Sequence, residues 1–156
     1  MVSILFVCHG NICRSPMAEF VMRDLVTKRH LGGQIYVESA ATSTEEIGND
    51  MHYGTKKKLR EMGVPFTKRS ACQMTSRDYD RFDLIVAMDS FNLYNMKRFV
   101  GKDPQKKVYL LLDFSERKGQ DIADPWYTGD FDATYNDILE GCTGLLAYII
   151  DRGLMV

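Results

Sequence analysis

The sequence predicts an α/β fold: one domain, residues 1–156, in which a four-stranded parallel sheet carries helices on both faces in the flavodoxin/Rossmann-like manner, with a phosphate-binding loop after the first strand. Three observations point there. Four short apolar runs recur along the chain, continuous rather than alternating, as strands buried on both faces of a parallel sheet require. Between them, apolar residues return at three- and four-residue intervals, the period of a helix. Turn residues separate the two kinds of segment, so strands and helices alternate and the connections are crossovers.

Residues 3–8, SILFVC, form the first predicted strand. Pro16 sits where the first turn of a helix tolerates a missing N–H. Met17, Val21 and Leu25 recur four apart with Ala18 and Met22 beside them, which predicts a helix to about His30, ended by Gly32-Gly33. Residues 34–40, QIYVESA, are the second strand. Asn49 or Asp50 is expected to cap a helix reaching about Met62, where GVP stops it. Thr75-x-x-Asp78 is an N-terminal capping signature for a short helix. Residues 83–88, DLIVAM, are the third strand, and Asp89 or Ser90 opens a helix through Leu93, Met96 and Phe99. Residues 107–112, KVYLLL, are the fourth. In the last helix Tyr135, Ile138, Leu139, Cys142, Leu145, Leu146, Ile149 and Ile150 share one face, which is core packing with Cys142 as a small hydrophobe.

A formal net charge of −1 argues against nucleic acid or a membrane surface as partner. The clusters Lys56-Lys57-Lys58 and Lys97, Arg98, Lys102, Lys106, Lys107 are interleaved with apolar residues and are expected to be solvated faces. The initial apolar run is too short to span a bilayer and lacks a basic flank and a cleavage site. Four cysteines without a C-x-x-C pair do not make a secreted disulfide framework or a zinc ribbon, so the reducing cytoplasm is the expected compartment.

The stretch VCHGNICRSP, residues 7–16, carries the chemistry. Cys8 ends a buried strand, and ligands of such sheets sit beyond the carboxyl ends of strands. Gly10 and Asn11 tolerate left-handed backbone angles, so the loop can curl until successive N–H groups face inward as an anion-binding nest. The following helix adds its positive N-terminal end, and Arg14 adds a planar fork for two phosphate oxygens. That field favours thiolate at Cys8, comparable settings lowering a cysteine to ~3.5–7.5. Ser15 can donate to the sulfur, which would then attack phosphorus and form a phosphocysteine. Asp124, stiffened by Pro125 and walled by Trp126 and Tyr127, is the candidate general acid and then base. Taken alone, Cys-x5-Arg is a weak signal and Ala-Asp-Pro is often only a turn; a structural cysteine at a strand end is the alternative.

FVCHGNICRSPMAE, ESA at 38–40, MDSFNL at 88–93 and DPWY at 124–127 together resemble the low-molecular-weight protein tyrosine phosphatases, in order and over essentially the whole chain. The resemblance implies hydrolysis of phosphotyrosine, in a protein or a small aryl phosphate, without metal or other cofactor. It implies Cys8 as nucleophile, Arg14 as phosphate ligand and Asp124 as acid and base. His9, Gly10, Asn11, Ile12, Cys13, Ser15, Trp126 and Tyr127 would bind substrate, and Asn11, Ser15 and Ser39 would hold the loop. Cys13 would be the thiol that pairs reversibly with Cys8 under oxidation. A monomer is the simpler expectation. Departures from the family pattern are His9 after the nucleophile, Glu45 or Glu46 where an aromatic often walls the substrate ring, Arg69 where a histidine often supports the loop, and Trp126 for a tyrosine. The rival readings are an arsenate reductase of the same fold, which needs two further relaying cysteines, and a phosphoarginine phosphatase, which typically has threonine at the position of Ile12. A phosphotyrosine-binding module without turnover and a Cys8/His9/Cys13 metal site complete the set.

Overall fold

The computed structural model describes residues 1–153. Strand β1 (Val2–Cys8) leads through α1 (Arg14–Lys28) to β2 (Ile35–Ala41). Helices α2 (Tyr53–Glu61) and α3 (Ser76–Arg81) precede β3 (Leu84–Ala87), and α4 (Ser90–Val100) connects it to β4 (Val108–Leu110). A 3-10 turn (Leu111–Phe114), α5 (Pro125–Thr128) and α6 (Phe131–Asp151) follow. The strands form one parallel sheet in the order β2-β1-β3-β4.

Alternation along β1 divides the core. Val2, Ile4, Phe6 and Cys8 join a cluster with Met17 and Val21 of α1 and Ile138, Cys142, Leu145 and Ile149 of α6. Leu5 and Val7 point the other way, toward Tyr79 of α3 and Met96 and Val100 of α4. Helices therefore cover both faces, and each buried aliphatic side chain contributes about 1.5–3 kcal/mol. The sheet, its order of elements and the stripe on α6 match the sequence reading.

The elements depart from it at their ends. Helix α1 starts at Arg14, so Pro16 is its third residue, still within the turn whose N–H groups lack helical partners. It stops at Lys28 because His30 takes φ 58° and Leu31 N–H bonds back to Val26; Gly32-Gly33 lie in the turn beyond. Neither Asn49 nor Asp50 caps α2. His52 does, its Nδ1 accepting from Gly54 N–H at 3.0 Å. Asp50 is spent on the N–H groups of Met51 and Arg69 and on Lys56, and Asn49 donates to Glu46. The fourth strand keeps only three of its six expected residues: Asp113 accepts from Leu110 N–H and bends Leu111 and Leu112 under α6. There Gly141 and Gly144 let the chains touch, since a Cβ would lie 2.5 Å from Leu111 Cγ and 2.0 Å from the Phe114 carbonyl oxygen. The capping signatures at Thr75–Asp78 and Asp89 hold. The lysine cluster is not simply a solvated face: Lys58 is largely buried between Glu61 and Asp132, and Lys56 pairs with Asp50.

Cys142 is fully buried in the main core, and burial pushes its thiol well above the usual cysteine range. The folded chain therefore holds that proton after the unfolded chain, at about 8.5, has released it. Stability is complete below that pH and falls as pH rises past it, by up to about 1.4 kcal/mol per pH unit for this group. We expect denaturant midpoints to decline less steeply above about pH 9 in Cys142→Ala than in the parent chain, although the variant starts lower by roughly 1 kcal/mol for its cavity. Equal slopes would remove Cys142 from the alkaline transition.

Candidate active site

β1 lies inside the sheet, with β2 on one side and β3 on the other, so its carboxyl end is the point where crossovers diverge. Cys8 occupies that end. Asn11 turns the chain back at φ 59°, and α1 begins three residues later. As a result the N–H groups of Asn11 and Ser15 both point at Cys8 Sγ, at 3.3 and 3.5 Å, and Ser15 Oγ lies 3.0 Å from it. The predicted curl of the loop and the Ser15–sulfur contact are thus present.

The hydrogen bonds beneath the loop have one consistent direction. Asn11 Oδ1 faces two donors, the Arg69 guanidinium and Cys72 N–H, so its amide nitrogen must point the other way. Nδ2 then donates to Ser15 Oγ at 2.8 Å and Ser39 Oγ at 2.9 Å. Ser39 Oγ in turn donates to Glu19 Oε1 at 2.6 Å. Ser15, already accepting from Asn11, has its own hydrogen free for the sulfur, because the alternative acceptor, the Ala40 carbonyl, is 3.5 Å away. Burial raises the Glu19 carboxyl above its ordinary range against the opposing pull of Ser39, Arg23 and Arg69. Arg69, noted as a departure, therefore sits in the loop's support. Glu19 and the Cys72 amide were not foreseen; only tertiary contact brings residues 19, 39 and 72 to the loop.

Arg14 is 2% exposed. Its Nη1 donates to Asp89 Oδ2 at 2.6 Å and to the Ile122 carbonyl at 2.8 Å, and its Nη2 to Asp124 Oδ2 at 3.3 Å. Burial disfavours the charge, but Cys8, Asp124 and Asp89 outweigh it and raise the guanidinium's pKa. Asp124 also caps α5, its Oδ1 accepting from Trp126 N–H at 3.0 Å. Asp89 and the Ile122 carbonyl as anchors of Arg14 had no signal in the sequence beyond the MDSFNL motif.

One cavity opens above the sulfur, lined by Cys8, His9, Gly10, Ile12, Cys13, Arg14, Glu45, Glu46, Asp124, Trp126 and Tyr127. The Asn11 and Ser15 side chains are fully buried and turn down into the network, so these two residues face the sulfur through their backbone N–H groups. Ser39 lies below the loop, between Asn11 Nδ2 and Glu19 Oε1. Trp126 and Tyr127 are 57% and 84% exposed at the mouth. His9 is on the rim, its Nε2 2.8 Å from Glu45 Oε2. Burial, then the neighbouring Cys8 and Asp124, push the Cys13 thiol up to about 12. Cys72 is exposed and Cys142 is packed against the Ala18 carbonyl, so no cysteine relay is assembled around Cys8. Among the described residues no three His, Cys, Asp or Glu side chains converge as metal ligands.

Residues 3–153 match the family described as low molecular weight phosphotyrosine protein phosphatase. The chain belongs to this family. It is 43% identical over 150 residues to the low molecular weight protein-tyrosine-phosphatase YfkJ of Bacillus subtilis, covering 96% of each chain. The crystal structure of that YfkJ superposes with a TM-score of 0.93 at 42% identity, over 97% of this chain and 96% of the other. PtpA of Staphylococcus aureus, a low molecular weight protein-tyrosine-phosphatase, is 39% identical over 96% of this chain and 95% of its own. The Drosophila arginine phosphatase DARP has a TM-score of 0.82 at 34% identity, over 93% of this chain and 96% of that one.

In this phosphatase Asn11 combines a left-handed backbone with a fully used amide, and two substitutions separate the two roles. Asn11→Gly keeps the backbone angle and loses the amide; Asn11→Ala loses both, at an added cost of about 1–2 kcal/mol. Thermal melting should rank the parent above Asn11→Gly above Asn11→Ala, with both variants binding vanadate more weakly. Melting of Asn11→Ala at the parent temperature would mean that the turn does not depend on this residue.

Proposed function

We propose that this phosphatase, one domain over residues 1–156, hydrolyses phosphotyrosine in proteins through a phosphocysteine intermediate. The observation that carries the reading is the convergence of three hydrogen-bond donors on Cys8 Sγ inside a cavity that Arg14 and Asp124 also face. Those donors can bear negative charge on the sulfur as it attacks phosphorus and again as it leaves in the second step. Phosphate oxygens replace Asp124 on Arg14 Nη2, while Asp89 and the Ile122 carbonyl keep the guanidinium plane in place. Released from Arg14, Asp124 Oδ2 carries the proton. The sulfur forms a bond to phosphorus as the P–O bond breaks, and Asp124 gives its proton to the departing aryl oxygen. Water then attacks phosphorus, returns a proton to Asp124, and expels the thiolate with inorganic phosphate. Amide dipoles and one guanidinium neutralise the phosphoryl charge, so the mechanism calls on no metal.

Ile12, Trp126 and Tyr127 supply apolar walls that suit an aromatic ring, which favours phosphotyrosine over phosphoarginine. Cys13, in the same cavity, is the proposed resolving thiol: a peroxide converts Cys8 to the sulfenic acid, and Cys13 displaces water from it to form the disulfide. A cysteine-dependent nucleophile that must stay reduced to act fits a reducing, cytoplasmic setting. No helix among the described residues is long and apolar enough to cross a membrane.

Cys8→Ser should abolish turnover of an aryl phosphate without added metal while retaining vanadate binding; normal activity in that variant would overturn the nucleophile. Asp124→Ala should slow phenyl phosphate by about 10²–10⁴-fold and esters of strongly acidic phenols far less, since only the former needs a proton donor. Equal losses would remove Asp124 from the role. Faster turnover of phosphoarginine than of phosphotyrosine would replace the substrate assignment.

A further inference from the structure

The floor of the cavity is positive, made of inward amides and Arg14, but its mouth carries the opposite sign. Glu45, Glu46 and Asp124 all line it. A second hollow opens beside the first, sharing His9, Arg14, Asp124 and Tyr127 with it and adding Asp89 and the ring of Phe91. Arg14 is the only lysine or arginine lining either space among the described residues, and it is buried at the floor. The Glu45 side chain is 67% exposed. The Glu46 stem lies over the loop, its Cγ 3.4 Å from where a Cβ on Gly10 would be, and its carboxylate accepts only from the neutral Asn49 amide at 2.6 Å. His9 faces Glu45 and can offset one carboxylate at most. With Asp124 protonated for catalysis and His9 charged, carboxylates still outnumber cations around the mouth.

A peptide that inserts its phosphotyrosine to the floor must lay its neighbouring residues across this rim. We propose that the rim selects phosphotyrosine segments with lysine or arginine beside the phosphorylated residue and disfavours those with acidic neighbours, and that Glu45 and Glu46 are the specificity-determining residues. The inference rests on the phosphotyrosine reading above and names its substrate class. Attraction and repulsion at exposed carboxylates are each modest, and together they separate basic from acidic flanks by about tenfold in kcat/KM at low salt. The rings of Phe91 and Tyr127, 70% and 84% exposed, offer flat faces on which an arginine can lie.

The test compares kcat/KM for two phosphotyrosine peptides of equal length, one flanked by lysines and one by glutamates, on the full chain at neutral pH. The lysine peptide should be favoured about tenfold at about 20 mM salt, and the ratio should fall toward one at about 500 mM, where the screening length drops below the width of the rim. The Glu45→Gln, Glu46→Gln double variant should bring the low-salt ratio within about twofold. An uncharged-ring aryl phosphate measured alongside separates the two failures. Its turnover together with equal peptide rates, or with a ratio unmoved by the double variant, overturns the charge preference alone; no turnover of it overturns the phosphatase reading and the preference with it.

Discussion

At Asn11 a left-handed backbone angle brings two N–H groups onto one sulfur atom, and the side-chain amide of the same residue holds that turn against its strain. Without the turn, β1 would run straight into α1 and the amides of residues 11 and 15 would face solvent or each other. With it, the site acquires its donors from the backbone, which needs no side-chain ordering when substrate arrives. The amide can do this because both of its ends are saturated: two donors fix the oxygen and two hydroxyls take the nitrogen. The direction of every bond then follows, down to the Ser15 hydrogen that points at Cys8.

Charge is organised around the same point in layers. Arg69 and Arg23 stand behind the loop with Glu19 between them, Arg14 lies in the floor with Asp89 and Asp124, and Glu45 and Glu46 form the lip. Arg14, the one fully buried arginine of the three, has Asp89 and Asp124 as carboxylate partners, as burial of a charge demands. The Arg14–Asp124 contact is the longest of the Arg14 set at 3.3 Å and the one a phosphate can replace without stripping the guanidinium of its anchors. Cys8 and Cys13 share the cavity yet sit in unlike surroundings, one sulfur facing three donors and the other pushed to a high pKa by burial and its anionic neighbours.

Much of this was legible from residues alone because it is local. Apolar runs marked the strands, 3.6-residue periodicity marked α1 and α6, and capping side chains at Thr75 and Asp89 acted on amides three residues away. Cys8, Arg14 and Ser15 lie within one turn of loop and helix, so their spacing carries their geometry. Element ends failed where a distant contact intervened. Asp50 looked like a cap but is held by Arg69 and Lys56, which left the role to His52, and β4 is cut short where Asp113, just past KVYLLL, accepts from Leu110 N–H and turns the chain under α6.

The chain by itself determined the alternation of strand and helix, the place of the nucleophile at a strand end, and the residue types that can hold and cleave a phosphate ester, since these follow from periodicity and from groups adjacent in sequence. Tertiary structure alone decided that the Asn11 and Ser15 side chains turn under the loop while their amides face the sulfur, that Glu19 and the Cys72 amide join the network beneath it, and that both Glu45 and Glu46 line the mouth. Hydrogen-bond direction and charge at a rim depend on which groups meet across separations of 20 to 61 residues, and no local pattern encodes that meeting.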